Sequence, residues 1–247
     1  MHRFYIAPEN WNPDALALTD SEAHHARDVL RMKRGERAVL FNGRGRETTA
    51  EIVDLAKSEI RFRKLHESEM PPLRCRITLG QAIPKGKNMD LILQKAVEIG
   101  AAEIAPLISE RTIVDLDKKE AEQKREKWRQ IAIEAAKQCG QNWLPTIHTP
   151  QKLKDFFSHQ PAHDLRLIGS LQPDALHLKN ILAEYRERRG DRPMTVLMMV
   201  GPEGDFTPAE LALAKTHGCL PITLGPIILR VETAAIYCLS VLSYELM

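Results

Sequence analysis

The chain has 247 residues, 43% of them hydrophobic and 28% charged, with a formal net charge of +2. These values are typical of a globular protein of one large or two compact domains, and they leave RNA binding open, because that needs only a local basic surface. No apolar run approaches the roughly 20 residues of a membrane helix and the start lacks a secretion signal, so we expect a cytoplasmic location without membrane contact. The four cysteines lie far apart, which argues against a zinc site or disulfide framework, and we expect no metal.

Short β-like runs occupy about the first 70 residues. Apolar residues alternate or cluster at strand length in RFYI, AVLFN, TAEIVDL and EIRFRKL, and NGRG is a strong turn signal. Between the first two runs, residues 21–32 are predicted to form a short helix. The dipeptide Pro71-Pro72 then stops regular structure. We therefore place a domain boundary there, with a small β-rich domain over residues 1–70 and a second domain over residues 73–247.

Strands and helices alternate after this boundary. The predicted strands are RITLGQAI, EIAPLIS, LRLIG, MTVLMMV and PITLG. The clearest predicted helices are Asn88–Ile99, closed by Gly100, Lys118–Gln138 and Val231–Leu246. The last three strands are nearly continuous apolar runs, which is typical of strands buried on both faces. This order predicts an α/β fold with a mostly parallel sheet.

The most informative stretch is VGPEGDFTP, residues 200–208, which leaves a predicted strand and enters a helix. Thr207 is placed as N-cap, Pro208 as first helical residue and Glu210 as the reciprocal partner of a capping box. Gly201 and Gly204 lie just beyond the carboxyl end of the strand, where ligands bind in open α/β sheets, and would allow close approach to the backbone. A tight turn without a ligand fits the same spacing.

Two further loops follow predicted strands. IGSLQ, residues 168–172, is one, and LGPIILRVET, residues 224–233, is the other. In the second, Arg230 and Glu232 stand in an otherwise apolar segment, where charges are costly unless they are paired or serve a ligand. A structural ion pair or a solvated helix start would also explain them. Three such loops can enclose an adenosine, whereas the absence of G-x-G-x-x-G disfavours a dinucleotide.

Basic residues concentrate between His24 and Arg46, where seven Lys or Arg stand against two acidic residues. Such a local surplus is expected where a phosphate backbone binds, although a solvated charged face has the same composition. Lys85 and Lys87, before the first helix of the second domain, are further phosphate candidates. The mixed charges from Lys118 to Arg129 favour an exposed helix face.

GPEGDFTPAE followed by LGPIILRVETA closely resembles the signature of the SPOUT superfamily, and within it that of the small-subunit ribosomal RNA uridine-N3 methyltransferases. Other segments resemble the same family, so that the resemblance spans nearly the whole chain: HRFYI, HHARDVLRMKRGE, FNGRGRE, KGKNMDLILQKAVEIGAAEIAPLISERT and QCGQNWLPTI. It implies an α/β fold with a SPOUT-type, mostly parallel sheet and a deep C-terminal trefoil knot, plus a small N-terminal PUA-like β-barrel domain that binds RNA.

The resemblance also implies an activity, which is S-adenosylmethionine-dependent methylation of N3 of one particular uridine in the 16S ribosomal RNA of the small subunit. S-adenosylmethionine is thus the implied cofactor. The implied partners are the small ribosomal subunit with its 16S RNA, and a second copy of the chain in a homodimer formed through the knot domain.

Individual residues receive roles from the same resemblance. The cofactor loops would contain Ser170 and Leu171; Gly201, Pro202, Glu203 and Gly204; and Leu224, Gly225, Ile228 and Leu229. The catalytic candidates, next to the transferred methyl group, are Arg230 and Glu232. The candidate RNA contacts are Arg3, His24, His25, Arg31, Lys33, Arg44, Arg46, Lys85 and Lys87. Asp205 departs from the family, which usually has glycine there, and Asn42 stands where aspartate is usual.

Two other functions stay open at this point. The SPOUT fold also supports methylation of a ribose 2′-hydroxyl, which differs in the product nucleoside. The chain could instead be an RNA-binding module that holds the cofactor without catalysis. The presence of both Arg230 and Glu232 argues against that module.

Overall fold

The computed structural model describes residues 1–112, 116–159 and 161–246. These residues divide into two units. The first comprises Met1–Pro72 together with Ile133–Leu144, and the second comprises Leu73–Ala132 together with the chain from Pro145 onwards. No local pattern indicates that residues 133–144 belong with the N-terminal part of the chain.

The first unit is built on a five-stranded sheet with the order β1-β3-β4-β5-β2. Its strands are β1 (His2–Tyr5), β2 (Ala17–Thr19), β3 (Arg37–Phe41), β4 (Arg46–Leu55) and β5 (Glu59–Glu69). β1 and β3 run parallel, and the other pairs are antiparallel. Every second residue through the middle of β4 is buried, and Phe4, Leu40, Ile52 and Ile60 are among the buried side chains of this unit. The four predicted strands are confirmed, and β2 is additional.

The predicted helix over residues 21–32 is only partly correct. It begins as α1 (Asp20–His24) and continues as a π-helical turn over His25–Val29, in which the Leu30 amide donates to the His25 carbonyl at 2.9 Å. Arg31, at a φ of +54°, then leaves the helical conformation. A π-helical turn contains one residue more than an α-helical turn. The 3.6-residue periodicity of an α-helix therefore does not reveal it in the sequence.

The second unit is built on one sheet whose described strands all pair in parallel, with the order β11-β13-β10-β12-β6-β7-β8 and with β9 also on β7. Its strands are β6 (Arg76–Ala82), β7 (Glu103–Ile108), β8 (Thr146–Ile147), β9 (Gln151–Lys152), β10 (Leu165–Gly169), β11 (Leu176–His177), β12 (Thr195–Val200) and β13 (Leu220–Thr223). Its helices are α2 (Asn88–Ile99), α4 (Leu153–His159), α5 (Leu178–Arg189), α6 (Pro208–Thr216) and α7 (Val231–Leu246), together with the first part of α3 (Lys118–Cys139). The predicted α/β class with a parallel sheet is confirmed.

The centre of this sheet is buried on both faces, as the continuous apolar runs predict. Residues 196–199 of β12 and Leu167 of β10 are inaccessible to solvent. Helix α2 packs against α7, and Gly100 ends it at a φ of +93°. The buried residues of α2 are Met89, Ile92, Leu93, Ala96 and Val97. Cys238 of α7 is also buried in the core. None of the described helices combines the length and apolarity that crossing a membrane requires.

Helix α3 divides between the units, with residues up to Ala132 in the second and those from Ile133 in the first. Trp128 and Ala135 are buried, whereas Ile131 is only partly buried. In the first unit, the ammonium of Lys137 lies 3.0 Å from the Glu22 carboxylate. Burial raises the pKa of Glu22, and Lys137 opposes that rise.

The NGRG turn depends on the side chain of Asn42, which is 6% exposed. Its Oδ1 atom accepts the Arg44 amide at 2.8 Å and the Arg46 amide at 3.1 Å. A side chain at Gly45 is excluded, since a Cβ atom there would lie 2.7 Å from the Met70 carbonyl oxygen and 2.8 Å from the Trp143 ring. An aspartate would supply the same acceptor, so the departure from the family at this position preserves the turn.

Two substitutions at Asn42 distinguish loss of the hydrogen-bond acceptor from a change of side chain that keeps it. Asn42→Ala leaves two amides without their partner, and we expect the free energy of unfolding to fall by about 2 kcal/mol. Asn42→Asp keeps an oxygen acceptor and serves as the matched control, with a change below about 1 kcal/mol. Urea unfolding of the three proteins measures both values, and equal stability of the alanine and aspartate variants would contradict the role of Asn42.

Candidate active site

Three loops leave the carboxyl edge of the parallel sheet side by side. β10 pairs with β12 on one side, where Ile168 lies opposite Met199, and with β13 on the other, where Gly169 lies opposite Ile222. Because the three strands are parallel, the chain leaves each of them at the same edge. We call residues 170–172, 201–207 and 224–230 the first, second and third strand-end loops. This edge is where ligands bind in open parallel sheets.

The second loop folds back on itself. The Asp205 amide donates to the Pro202 carbonyl at 3.0 Å, and Gly204 takes a φ of +86° within this turn. A Cβ atom at Gly201 would lie 3.1 Å from the Phe206 nitrogen and 3.1 Å from the Asp205 Oδ1 atom. The folded loop therefore leaves little room for a side chain at position 201.

Asp205 joins the first and second loops. It adopts a φ of +68°, a conformation that costs a non-glycine residue about 1–2 kcal/mol. Its carboxylate accepts the Leu171 amide at 3.1 Å and the Phe206 amide at 2.7 Å. Charge-assisted hydrogen bonds of this kind offset the backbone cost, so aspartate replaces the family's usual glycine and adds a link between loops.

The capping box predicted at the start of α6 is confirmed. The Thr207 hydroxyl accepts the Glu210 amide at 3.3 Å, and the Glu210 carboxylate accepts the Thr207 amide at 2.9 Å. Glu210 is buried, and its other oxygen accepts the Glu110 amide at 2.8 Å. Glu210 therefore fixes both the helix start and the segment that follows β7.

Arg111, in that same segment, holds the second loop. Its guanidinium donates to the Gly204 carbonyl and, at 3.3 Å, to the Asp205 carbonyl. The site residues predicted from the sequence did not include Arg111. An arginine directly after a strand's carboxyl end was the available signal, but nothing local showed that its partners lie more than 90 positions away.

The third loop presents open space and exposed apolar side chains. Gly225 has a φ of +109°, and no heavy atom lies within 4 Å of the position that a Cβ atom would take. Ile228 is 76% exposed, and Leu171 of the first loop is 59% exposed. Large apolar side chains left open beside glycine-containing loops mark a surface that a ligand covers.

Arg230 and Glu232 lie at the start of α7 and have separate surroundings. The Arg230 carbonyl accepts the Ala234 amide at 2.8 Å, which begins the helix, while its exposed guanidinium has no hydrogen bond or ion pair within the described ranges. The Glu232 carboxylate, half-buried, accepts the Asn88 amide group at 3.1 Å. A structural ion pair between Arg230 and Glu232 is therefore not observed, and Asn88 is a neighbour that the sequence did not identify.

The loop after β6 reaches the same edge. The Glu203 carboxylate accepts the Lys85 amide at 3.2 and 3.3 Å from its two oxygens. The ammonium groups of Lys85 and Lys87 stay exposed. The predicted phosphate contacts of the second domain thus lie next to a predicted cofactor residue.

The seven other predicted RNA contacts lie in the first unit and differ in exposure. Arg3 is largely enclosed, with hydrogen bonds to Glu47 at 2.9 Å and Asn142 at 2.5 Å, and the His25 ring packs edge-on against Phe4. These contacts favour a structural role for both, and their RNA binding stays a prediction. The exposed side chains are those of His24, Arg31, Lys33, Arg44 and Arg46.

One of these residues lies beside an ionised carboxylate. His24 lies 2.6 Å from the Asp28 carboxylate. A hydrogen bond from Arg27 lowers the pKa of Asp28 to about 2, so this carboxylate stays ionised beside His24. Within residues 1–112, 116–159 and 161–246, no three potential metal ligands cluster together.

Comparison with known families defines the class of protein. A model described as an RNA methyltransferase domain matches residues 71–243, and one described as an RNA methyltransferase PUA domain matches residues 18–65. The parallel sheet with its three strand-end loops lies within the first match, and most of the five-stranded sheet lies within the second. The chain is thus of the RNA methyltransferase class.

Individual relatives narrow this class. A methyltransferase of Legionella pneumophila, solved with its cofactor SAM bound, is 36% identical with a TM-score of 0.87 over 98% of this chain and 97% of that one. Ribosomal RNA small subunit methyltransferase E of Neisseria gonorrhoeae, solved with S-adenosyl methionine, is 33% identical with a TM-score of 0.85 over 99% and 98%. The enzyme of that name from Buchnera aphidicola is 31% identical over 97% of this chain and 92% of its own. The chain belongs to the ribosomal RNA small subunit methyltransferase E family.

The hydrogen-bonded bridge from Asp205 of the second loop to Leu171 of the first can be tested without a ligand. We expect Asp205→Ala to speed hydrogen exchange of the Leu171 amide about tenfold, because the amide loses its acceptor, and to lower stability through the positive φ. Asp205→Gly loses the same acceptor without the backbone strain. We therefore expect it to speed exchange equally, but to lower the free energy of unfolding by about 1 kcal/mol less than the alanine variant does. Amide exchange followed by NMR, with Asp205→Asn as the control that keeps an oxygen acceptor, decides the matter. Unchanged exchange at Leu171 in the alanine and glycine variants would refute the bridge.

Proposed function

We propose that this protein transfers the methyl group of S-adenosylmethionine to N3 of a uridine in the 16S RNA of the small ribosomal subunit, in the cytoplasm. The observation that carries the proposal is the meeting of three strand-end loops at one sheet edge, followed directly by Arg230 and Glu232. Membership of the family supplies the RNA substrate class. Relatives crystallised with S-adenosylmethionine support the choice of cofactor.

The loops have the chemistry that this cofactor needs. Exposed Leu171 and Ile228 offer apolar surface for an adenine ring, and the open space at Gly225 allows close approach to the backbone. The residues that we propose hold the cofactor are Ser170, Leu171, Gly201, Pro202, Glu203, Gly204, Leu224, Gly225, Ile228 and Leu229. Asp205 and Arg111 position the second loop but need not touch the ligand. The trefoil knot that the resemblance implies stays a prediction.

When bound, S-adenosylmethionine supplies a methyl group on a positively charged sulfur, which makes it electrophilic. Transfer forms the bond between N3 and the methyl carbon, breaks the carbon–sulfur bond and releases the N3 proton. The residues of this chain must therefore orient the base and manage that proton.

The exposed guanidinium of Arg230 donates to a uracil oxygen, on which negative charge develops as the N3 proton leaves. The Glu232 carboxylate, oriented by Asn88, accepts that proton directly or through a water. The target base must be reachable, so it lies in a single-stranded segment or is turned out of a helix. The exposed basic residues of the first unit bind the RNA backbone.

The direct experiment uses the purified chain, tritiated S-adenosylmethionine and small subunits whose RNA lacks the modification. Digestion and nucleoside analysis then identify the labelled product. Label in 3-methyluridine supports the proposal. Label in a 2′-O-methylated nucleoside would keep the fold and the cofactor but refute the N3 chemistry, and cofactor binding without any label would favour the non-catalytic RNA-binding module.

Arg230→Ala is expected to lower kcat by about 10²–10³-fold, the usual loss when one donor to developing charge is removed. Affinity for S-adenosylmethionine, measured by calorimetry, stays unchanged. Glu232→Gln is expected to lower kcat by about 10²-fold or more by removing the proton acceptor. Arg188→Ala, which removes an exposed arginine of α5, serves as the control. Turnover at the wild-type level in the Arg230→Ala variant would contradict a catalytic role for Arg230.

A homodimer is the second part of the proposal. Tyr237 and Tyr244 of α7 are 48% and 87% exposed, and Ile227 before the helix is 74% exposed. Aromatic and aliphatic side chains left open along one helix favour contact with a second copy. We expect a dimer in sedimentation equilibrium at micromolar concentration and a monomer after Tyr237→Glu with Tyr244→Glu, because the charges oppose burial. A monomeric wild-type chain would contradict it.

A further inference from the structure

A pocket of the second unit lies beside the second strand-end loop. Its volume is about 390 Å³, which exceeds the needs of a single small ion. Its walls come from the loop after β6, the segment after β7 and the middle of α3. The cationic residues around it are Lys85, Lys87, Arg111, Lys124 and Lys127. We call this cavity the basic pocket.

The positive charges of the basic pocket are incompletely neutralised. Two lining residues are acidic, and Asp90 is paired with Lys127 at 3.0 Å. The other, Glu203, accepts the backbone amide of Lys85. Lys87 and Lys124 form no ion pair with any described residue. A surplus of positive charge around a cavity attracts an anion.

Two contacts tie this pocket to the proposed active site. Arg111 donates to two carbonyls of the second loop, and carbonyls leave its positive charge uncompensated. Glu203 belongs to that loop and also lines the pocket. An anion bound here would therefore lie directly beside the predicted cofactor loop.

Helix α3 forms one wall of the basic pocket, which its sequence did not predict. Its mixed charges indicated an exposed face, but Lys124 lies over the ring of buried Trp128, with its ammonium 5.7 Å from the ring centroid. This contact holds the lysine stem against the helix beside the cavity. The segment from Lys118 to Arg129 therefore contains a lysine that lines the cavity.

We propose that the basic pocket binds a sugar-phosphate unit of the RNA strand next to the target nucleotide, which rests on the function proposed above. Ammonium and guanidinium groups around one cavity match a phosphodiester in charge and hydrogen bonding. The lining is poor in exposed aromatic rings, so it does not provide the stacking surface that a base requires. Holding this phosphate fixes the strand beside the cofactor loop, so that the neighbouring base reaches the methyl group.

The test compares two double variants that remove the same charge. Lys87→Gln with Lys124→Gln removes two lysines of the basic pocket that form no ion pair with a described residue. Lys118→Gln with Lys119→Gln removes two lysines of the first turn of α3, which do not line the pocket. The probe is a 16S RNA transcript without modifications, and its binding is measured over a series of salt concentrations.

We expect the pocket variant to bind the transcript about tenfold more weakly and to lower the slope of log K against log salt by about 1, the change for one lost phosphate contact. Its KM for the RNA rises about tenfold, while its affinity for S-adenosylmethionine equals that of the wild type. The control variant keeps the wild-type slope. Single Lys124→Gln is made in parallel, so that a folding defect in the double variant does not decide the result.

The failures of the two proposals are distinguishable. Wild-type slope and KM in the pocket variant, or equal losses in both double variants, would overturn the basic pocket while methylation by the wild type still stands. RNA binding by the wild type without methylation would refute the proposed function, and the comparison of slopes would still decide the pocket. A wild-type chain that neither binds nor methylates the RNA would overturn both.

Discussion

The position of β10 between β12 and β13 is the constraint on which the candidate active site depends. The residues of the site come from three segments that are widely separated in the sequence, and they share one edge because both neighbours run parallel to β10. The apolar side chains of β12 are buried on both faces, so a shift of register would misplace them in the core. Packing in the sheet therefore fixes the starting point of every loop that we assign to the cofactor.

Hydrogen bonds between loops then determine the shape of the site above this edge. Asp205 connects the second loop to the first, Glu210 connects it to the segment after β7, and Glu203 connects it to the loop after β6. Each link uses a side-chain carboxylate to satisfy backbone amides. Rigid loops of this kind hold a ligand at a lower cost in entropy than loops that must be ordered on binding.

Local patterns were sufficient to predict much of this arrangement. The bounds of α2, its C-terminal glycine and the capping box at Thr207 all depend on residues within a few positions of one another. Short strands were not predictable in the same way. β8, β9 and β11 have two residues each, too few to show a period, and they exist through pairing with distant strands.

The partners of individual side chains also lay beyond sequence reasoning. Asn88 and Glu232 are 144 positions apart, and nothing near either residue points to the other. Arg3 was assigned to RNA from its motif, whereas Glu47 and Asn142 enclose its guanidinium. The assignment of residues 133–144 to the first unit similarly depends on tertiary contacts alone. A function inferred from the charge of a residue is thus least secure where a carboxylate from a distant part of the sequence neutralises that charge.

The turn at Asn42 has a consequence for the chemical lifetime of the protein. Asparagine followed by glycine is the dipeptide most prone to spontaneous deamidation, in which the glycine nitrogen attacks the asparagine side chain. Here that side chain is buried and its oxygen is held by two amides, so the attack requires the turn to open first. Ageing at this position is therefore limited by local unfolding of the first unit. The aspartate product would keep the acceptor that the turn needs, whereas the isoaspartate product would lengthen the backbone and break it.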